Sequence, residues 1–207
     1  MSTNPPTAAD PIPCHIVAGP LGVGKTTAIL HYLRQHADAN QERVGVLVND
    51  FGPVGLDSTT LQAESPNPDQ TQVLNVPGGC ICCTMLAELP NCIKRLTQAP
   101  ENPVDRLIIE PSGMATPAQV IDALRAAQDQ LRLALHPSIV LISTPDFDAE
   151  MFDRMPYFRM FSEAADILVF NRCDLATDAK VQSAKRWAEQ LDPPKLRVVT
   201  TTHGQLP

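Results

Sequence analysis

Gly19-Pro20-Leu21-Gly22-Val23-Gly24-Lys25-Thr26-Thr27 decides how this chain is read. The stretch follows the pattern G-x-x-x-x-G-K-[ST]. A short apolar run, Cys14–Ala18, precedes it, and a helix-like segment, Lys25–His36, follows. A strand, a glycine loop and a helix in that order are the context in which the pattern forms a phosphate loop. The glycines let the backbone wrap a triphosphate. The N–H groups of Gly22, Val23, Gly24, Lys25, Thr26 and Thr27 then point inward, at a helix N-terminus whose dipole favours anions. Lys25 is expected to stand exposed to the β- and γ-phosphates, and the Thr26 hydroxyl to ligate Mg²⁺. A strand-to-helix turn that merely carries glycines does not explain Lys-Thr at this offset. Pro20 lacks an N–H, but it precedes the amides that would bind phosphate.

Outward from the loop, strands and helices alternate. Val44–Val48 reads as a buried strand ending in Asn49-Asp50-Phe51-Gly52. Residues 51–72 read as a long loop, with Pro53, Gly55, Pro66, Asn67 and Pro68 as breakers. Gln72–Val76 is a short strand, and Pro77–Cys83 is a sharp turn. Leu86, Leu89, Ile93 and Leu96 keep helical spacing, with Pro90 starting or kinking that helix. Arg106–Glu110 is a strand. Thr116-Pro117-Ala118-Gln119 predicts a helix start with capping-box spacing, and Val120, Ile121, Leu124 and Leu131 follow on one face. Ser138–Ile142 and Ile167–Phe170 are strands, and residues 143–165 between them show no clear period. A helix marked by Val181, Ala184, Ala188 and Leu191 and a strand, Leu196–Thr200, close the chain. This order predicts an α/β fold, a doubly wound, mainly parallel sheet with helices on both faces. Ligands bind such sheets at the carboxyl ends of the strands. The phosphate loop, Asp50, Glu110 and Asn171–Asp174 all fall there.

The 207 residues suit one such domain, expected over 13–207, after a disordered leader over 1–12 that carries no basic-then-apolar signal. A net charge of −7, with only 16 Lys and Arg and no basic run, argues against nucleic acid or a membrane surface as partner. No stretch approaches the ~20 apolar residues of a membrane span. The expected compartment is the cytoplasm, so Cys14, Cys80, Cys82, Cys83, Cys92 and Cys173 are expected as thiols or metal ligands.

Three constellations carry the chemistry. Asn171-Arg172-Cys173-Asp174 resembles the Asn-Lys-x-Asp motif that reads guanine. A carboxylate at Asp174 would accept from the N1–H and exocyclic amine of guanine, a donor pair that adenine lacks, and such sites reject the analogue by about 10⁴ or more. Arg172 replaces the usual Lys, and its stem and plane can still flank a base. Glu110-Pro111-Ser112-Gly113 places a carboxylate where P-loop enzymes hold Mg²⁺, and Gly113 would let a backbone N–H approach the γ-phosphate. Asp50 would touch Mg²⁺, a transition metal or the attacking water; a turn-forming Asp is the plainer alternative. Cys80-Ile81-Cys82-Cys83 sets three thiols beside two glycines, which core packing explains poorly. Thiolates suit Zn²⁺ or another soft ion, with Asp50, a His or water completing the site; a redox role is the other functional reading. Cys14, Cys92 and Cys173 read as small buried hydrophobes. His15, His31, His36, His136 and His203 show no paired spacing.

Together these residues resemble the CobW-type metallochaperone GTPases, in particular the YeiR-like zinc-binding branch. Gly19–Thr27, Val48–Gly52 with Val54-Gly55, Gly78–Cys83, Leu107–Gly113, Asn171–Asp174 and Thr202-His203-Gly204 carry the likeness, which runs over nearly the whole chain. The resemblance implies a GTP-dependent protein that binds zinc or a similar ion, delivers it to a client metalloprotein and hydrolyses GTP slowly. Lys25, Asp50 and Glu110 would serve the reaction. Three departures stand out. Asp50 replaces a Glu, Pro53 stands where the family usually has a second Glu, and this sequence ends at Pro207 where many members continue into a client-facing domain. The rival expectations are a P-loop ATPase or kinase with structural cysteines, and a metal sensor or storage module without useful catalysis. The oligomeric state is not legible in the sequence.

Overall fold

The computed structural model describes residues 10–36, 42–49, 56–76 and 84–206. Among them, the strands are β1 (Ile12–Ala18), β2 (Val44–Val48), β3 (Thr71–Asn75), β4 (Arg106–Glu110), β5 (Leu133–Leu135), β6 (Ile139–Ser143), β7 (Ile167–Asn171) and β8 (Arg197–Thr200). The helices are α1 (Lys25–His36), α2 (Leu56–Glu64), α3 (Thr84–Thr97), α4 (Pro117–Leu131), α5 (Ala149–Arg154), α6 (Pro156–Ala164) and α7 (Asp178–Glu189), with a 3₁₀ turn at Cys173–Leu175. The strands form one parallel sheet in the order β3-β2-β4-β1-β6-β7-β8. β1 starts one residue inside the segment expected as a leader.

The strands alternate between two cores. Ile16, Leu47, Leu107, Ile109, Val140, Ile142, Leu168 and Phe170 face one side, against Ile93 of α3, Leu124 of α4, Phe161 of α6 and Trp187 of α7. Val17, Val46, Val48, Ile108, Leu141 and Val169 face the other, against Ile29, Leu30 and Leu33 of α1 and Leu61 of α2. Burial on both faces is why these strands read as unbroken apolar runs rather than alternating ones. At about 25 cal/mol per Å² of apolar surface, two such layers are the main favourable term in folding.

β5 and β6 share one edge of β1. β5 pairs with Ile12–Cys14, and β6 with Val17 and Ala18. The break falls at His136-Pro137-Ser138. His136 N–H still reaches the Cys14 carbonyl at 2.9 Å, but Pro137 has no N–H to continue the ladder.

Three local expectations need correction. The stretch 51–72 is not loop throughout, because α2 occupies Leu56–Glu64. Among its side chains whose burial is described, Leu61 is fully buried and Ser58 nearly so, and the helix carries too few apolar residues to show a period. Residues 143–165 hold two short helices, broken at Met155-Pro156, which splits their pattern. The Asp148 side chain caps α5 by accepting from Met151 N–H. Thr116 starts α4 with Pro117 first in the helix, but its side chain makes no cap bond. A backbone bond from Gln119 N–H to the Thr116 carbonyl, 3.1 Å, closes that turn. Of the two places expected for Pro90, the structure has the interior one: it lies inside α3. No helix among the described residues is long and apolar enough to cross a membrane.

Candidate functional site

All ladders being parallel, the carboxyl ends of β1, β4, β6 and β7 open on one rim. β1 lies between β4 and β6: the chain runs from β1 to β2 on one side and later crosses from β4 to β6 on the other. That is the switch point at which such sheets bind ligands.

The phosphate loop sits at this point and runs into α1. Gly24 has φ +95°, and a Cβ there would lie 2.6 Å from the Asn171 amide nitrogen. Only glycine satisfies both constraints. A cleft of about 380 Å³ opens before the loop, lined by Gly22, Gly24, Lys25, Thr26, Glu110 and Arg172, and extends along α1 to Arg34, Thr60 and Glu64. Lys25 is buried, 6% exposed, rather than standing free as expected. Its ammonium donates to the Pro20 carbonyl at 3.1 Å. An incoming phosphate would compete with that carbonyl for the same protons and carries more charge.

Thr26 Oγ1 donates to Glu110 Oε1 at 2.8 Å, and Glu110 is 2% exposed. The pair joins the first turn of α1 to the end of β4, 84 positions apart in the chain. Two hard oxygen donors side by side, next to an ammonium and a loop of backbone amides, are a donor set that fits Mg²⁺ bound between protein and phosphate.

On the other side of the loop stands Asn171, at the end of β7 and 2% exposed. Its Nδ2 donates to the Val23 carbonyl at 2.9 Å, and its Oδ1 accepts from Gly204 N–H at 3.0 Å. Asn171 therefore ties the phosphate loop to the turn after β8. Arg172, with φ 61°, points the chain back toward the cleft that it lines. The Asp174 carboxylate is about one-third exposed, 4.0 Å from His203 Nε2, so it stands open to a base. The structure thus separates the two residues of the motif into a buried tie and an accessible acceptor.

Gly113 closes the rim above Glu110. A Cβ on it would meet Leu21 N at 2.5 Å, so the backbone lies flush on the phosphate loop. The Tyr157 hydroxyl of α6 donates to the Gly113 carbonyl at 2.8 Å. Nothing in the sequence marks Tyr157; it lies in the stretch that shows no period.

Asp50, Cys80, Cys82 and Cys83, with Pro53, lie outside the described residues. Among the described residues no group of three His, Cys, Asp or Glu side chains is placed to hold a metal. The described cysteines are Cys14, Cys92 and Cys173. Cys14 is fully buried, and burial pushes its thiol up to about 12; burial also raises Cys92. Cys173 donates to the Phe170 carbonyl.

Residues 13–199 match the family model of the CobW/HypB/UreG nucleotide-binding domain. The zinc chaperone YeiR of Escherichia coli is 34% identical over 193 residues, covering 93% of this chain and 56% of that protein. The zinc chaperone CobW of Pseudomonas aeruginosa is 27% identical over 222 residues, covering 95% and 58%. The Zn(II)-bound YjiA GTPase of E. coli superposes with a TM-score of 0.55 at 21% identity, over 86% of this chain and 54% of that one. The chain therefore spans little more than half the length of the relatives it matches.

Proposed function

The chain belongs to the CobW/HypB/UreG family of nucleotide-binding domains, and on that premise we propose that it binds and hydrolyses GTP and couples its nucleotide state to the binding and transfer of zinc. The observation that carries the nucleotide half is the Thr26–Glu110 pair beside buried Lys25 at the mouth of the phosphate loop. In this reading the amides of residues 22–27 hold the phosphates, and Lys25 leaves the Pro20 carbonyl for the β/γ bridge. Thr26 and Glu110 would hold Mg²⁺, which would supply charge neutralisation at the transferred phosphoryl group. Gly113 brings a backbone N–H to the γ-phosphate. Asn171 holds the loop, and Asp174 takes the guanine edge.

The zinc half rests on the names of the relatives and on the Cys80-Ile81-Cys82-Cys83 motif. Zinc is cargo here, bound by thiolates and passed to a client metalloprotein. Asp50 enters from its sequence position alone, at the end of the strand beside Glu110.

One experiment tests both halves. Zinc affinity is measured by competition with no nucleotide, with GDP and with a non-hydrolysable GTP analogue, and GTP is compared with ATP for binding. The expected result is GTP preferred over ATP, and zinc tighter with the GTP analogue by about 5–150-fold, the usual size of a coupling between sites. The gain should vanish in Cys82→Ser/Cys83→Ser. Equal zinc affinity in all three nucleotide states would remove the transfer mechanism. Equal affinity for ATP would turn the reading toward a P-loop ATPase or kinase.

A further inference from the structure

We infer that Tyr157 is a positioning residue of the nucleotide site: its hydroxyl sets the spacing between Gly113 and the phosphate loop. The inference uses the GTP reading above for one of its two readouts. Two segments remote in sequence meet at this oxygen, beside a third. It donates to the Gly113 carbonyl at 2.8 Å, and Gly113 lies directly against Leu21 of the phosphate loop. Burial, the largest influence, raises the hydroxyl above its ordinary range, so the group keeps its proton and stays a donor.

The contact beneath has no slack. The position of a Gly113 Cβ lies 2.5 Å from Leu21 N and 2.8 Å from both Leu21 Cα and the Pro20 carbonyl carbon. The two backbones touch directly, and Tyr157 holds them at the edge of that contact. The ring is itself held. It packs edge-on against Phe158 and Phe161, with centroids at 4.9 and 5.5 Å, and Phe161 is fully buried in the core. The hydroxyl is therefore a fixed point referred to the core, not a mobile surface group.

Gly113 is joined to Glu110 through Pro111 and Ser112. A shift of Gly113 would pass back through these two residues to Glu110 and its partner Thr26. The parts that touch a γ-phosphate should then feel Tyr157. The parts that touch only the α- and β-phosphates and the base, on the far side of the loop, should not.

The test is Tyr157→Phe in the full chain, which removes the hydroxyl and keeps the packed ring. Competition against a fluorescent GDP gives the affinities for GDP and for a non-hydrolysable GTP analogue; turnover gives kcat and KM for GTP. The expected result is a melting temperature within about 5 °C of wild type and GDP affinity within about twofold. Analogue affinity and kcat should fall by about three- to tenfold, the range for losing one neutral hydrogen bond. Equal losses for GDP and the analogue would overturn the inference and leave Tyr157 a staple of the fold. No change in either would overturn it outright. A wild-type protein without turnover whose analogue preference still depends on Tyr157 would support the inference while removing the hydrolysis reading.

Discussion

His15 sits where a proton is poorly tolerated. Its ring accepts from Arg106 at 2.8 Å and stacks on His136 with centroids 4.4 Å apart. Arg106 is itself paired with Glu42 at 3.0 Å. Burial first, then the nearby His136 and Arg106 charges, push His15 from 6.5 down to about 4. The unfolded chain titrates at the ordinary value, so between 6.5 and about 4 it takes up a proton that the folded chain refuses. Stability from neutral His15 is thus full above pH 6.5 and is lost as the pH falls toward 4. At about 1.4 kcal/mol per pKa unit the loss is at most about 3 kcal/mol. Urea denaturation across this window should show a slope that flattens in His15→Gln; an equal slope in the variant would place the titration elsewhere. The pairing of His15 with His136 could not be read from spacing, because it depends on β5 and the following turn lying alongside β1.

At the scale of elements, the ends of β7 and β8 brace the start of α1. The Asn171 amide is the brace, satisfying the Val23 carbonyl and Gly204 N–H together. Asn171→Ala would leave both groups without their partner in a buried setting, at about 1–3 kcal/mol for each group left unsatisfied. Its unfolding midpoint in urea should drop with an unchanged m-value, and nucleotide should bind more weakly, since the loop it holds is the binding element. Wild-type stability in the variant would show that water replaces the amide. The asparagine was legible as part of a base-reading motif. Its bracing role was not, because it needs the turn after β8 folded back onto α1. α2, α5 and α6 were illegible for a different reason. They are short, α2 carries few apolar residues, and the other two abut at Met155-Pro156. Periodicity needs several turns to appear.

At the scale of the whole molecule, the cleft takes parts from both halves of the sheet: Glu110 from the β4 side, Arg172 from the β7 side, and the phosphate loop between. A nucleotide filling it would bridge those halves and bind only the folded chain. Mg²⁺-GTP at 100 times its dissociation constant should stabilise the fold by about 2.7 kcal/mol, read as a rise in melting temperature. ATP at the same concentration should stabilise it less, and equal shifts would remove Asp174 as a reader of guanine. The sequence by itself determined the phosphate loop, the parallel α/β class and the strand-end placement of Glu110, Asn171 and Asp174. Those depend on local order, a strand followed by glycines and a helix, and on apolar runs that only a sheet covered on both faces can bury. Tertiary structure alone decided that Thr26 meets Glu110, that Lys25 lies folded onto Pro20, that Asn171 is a brace and that Tyr157 reaches Gly113. Each of these contacts beyond Lys25 joins segments remote in the chain, and hydrogen bonds of 2.8 to 2.9 Å form only once the strand register has set both ends.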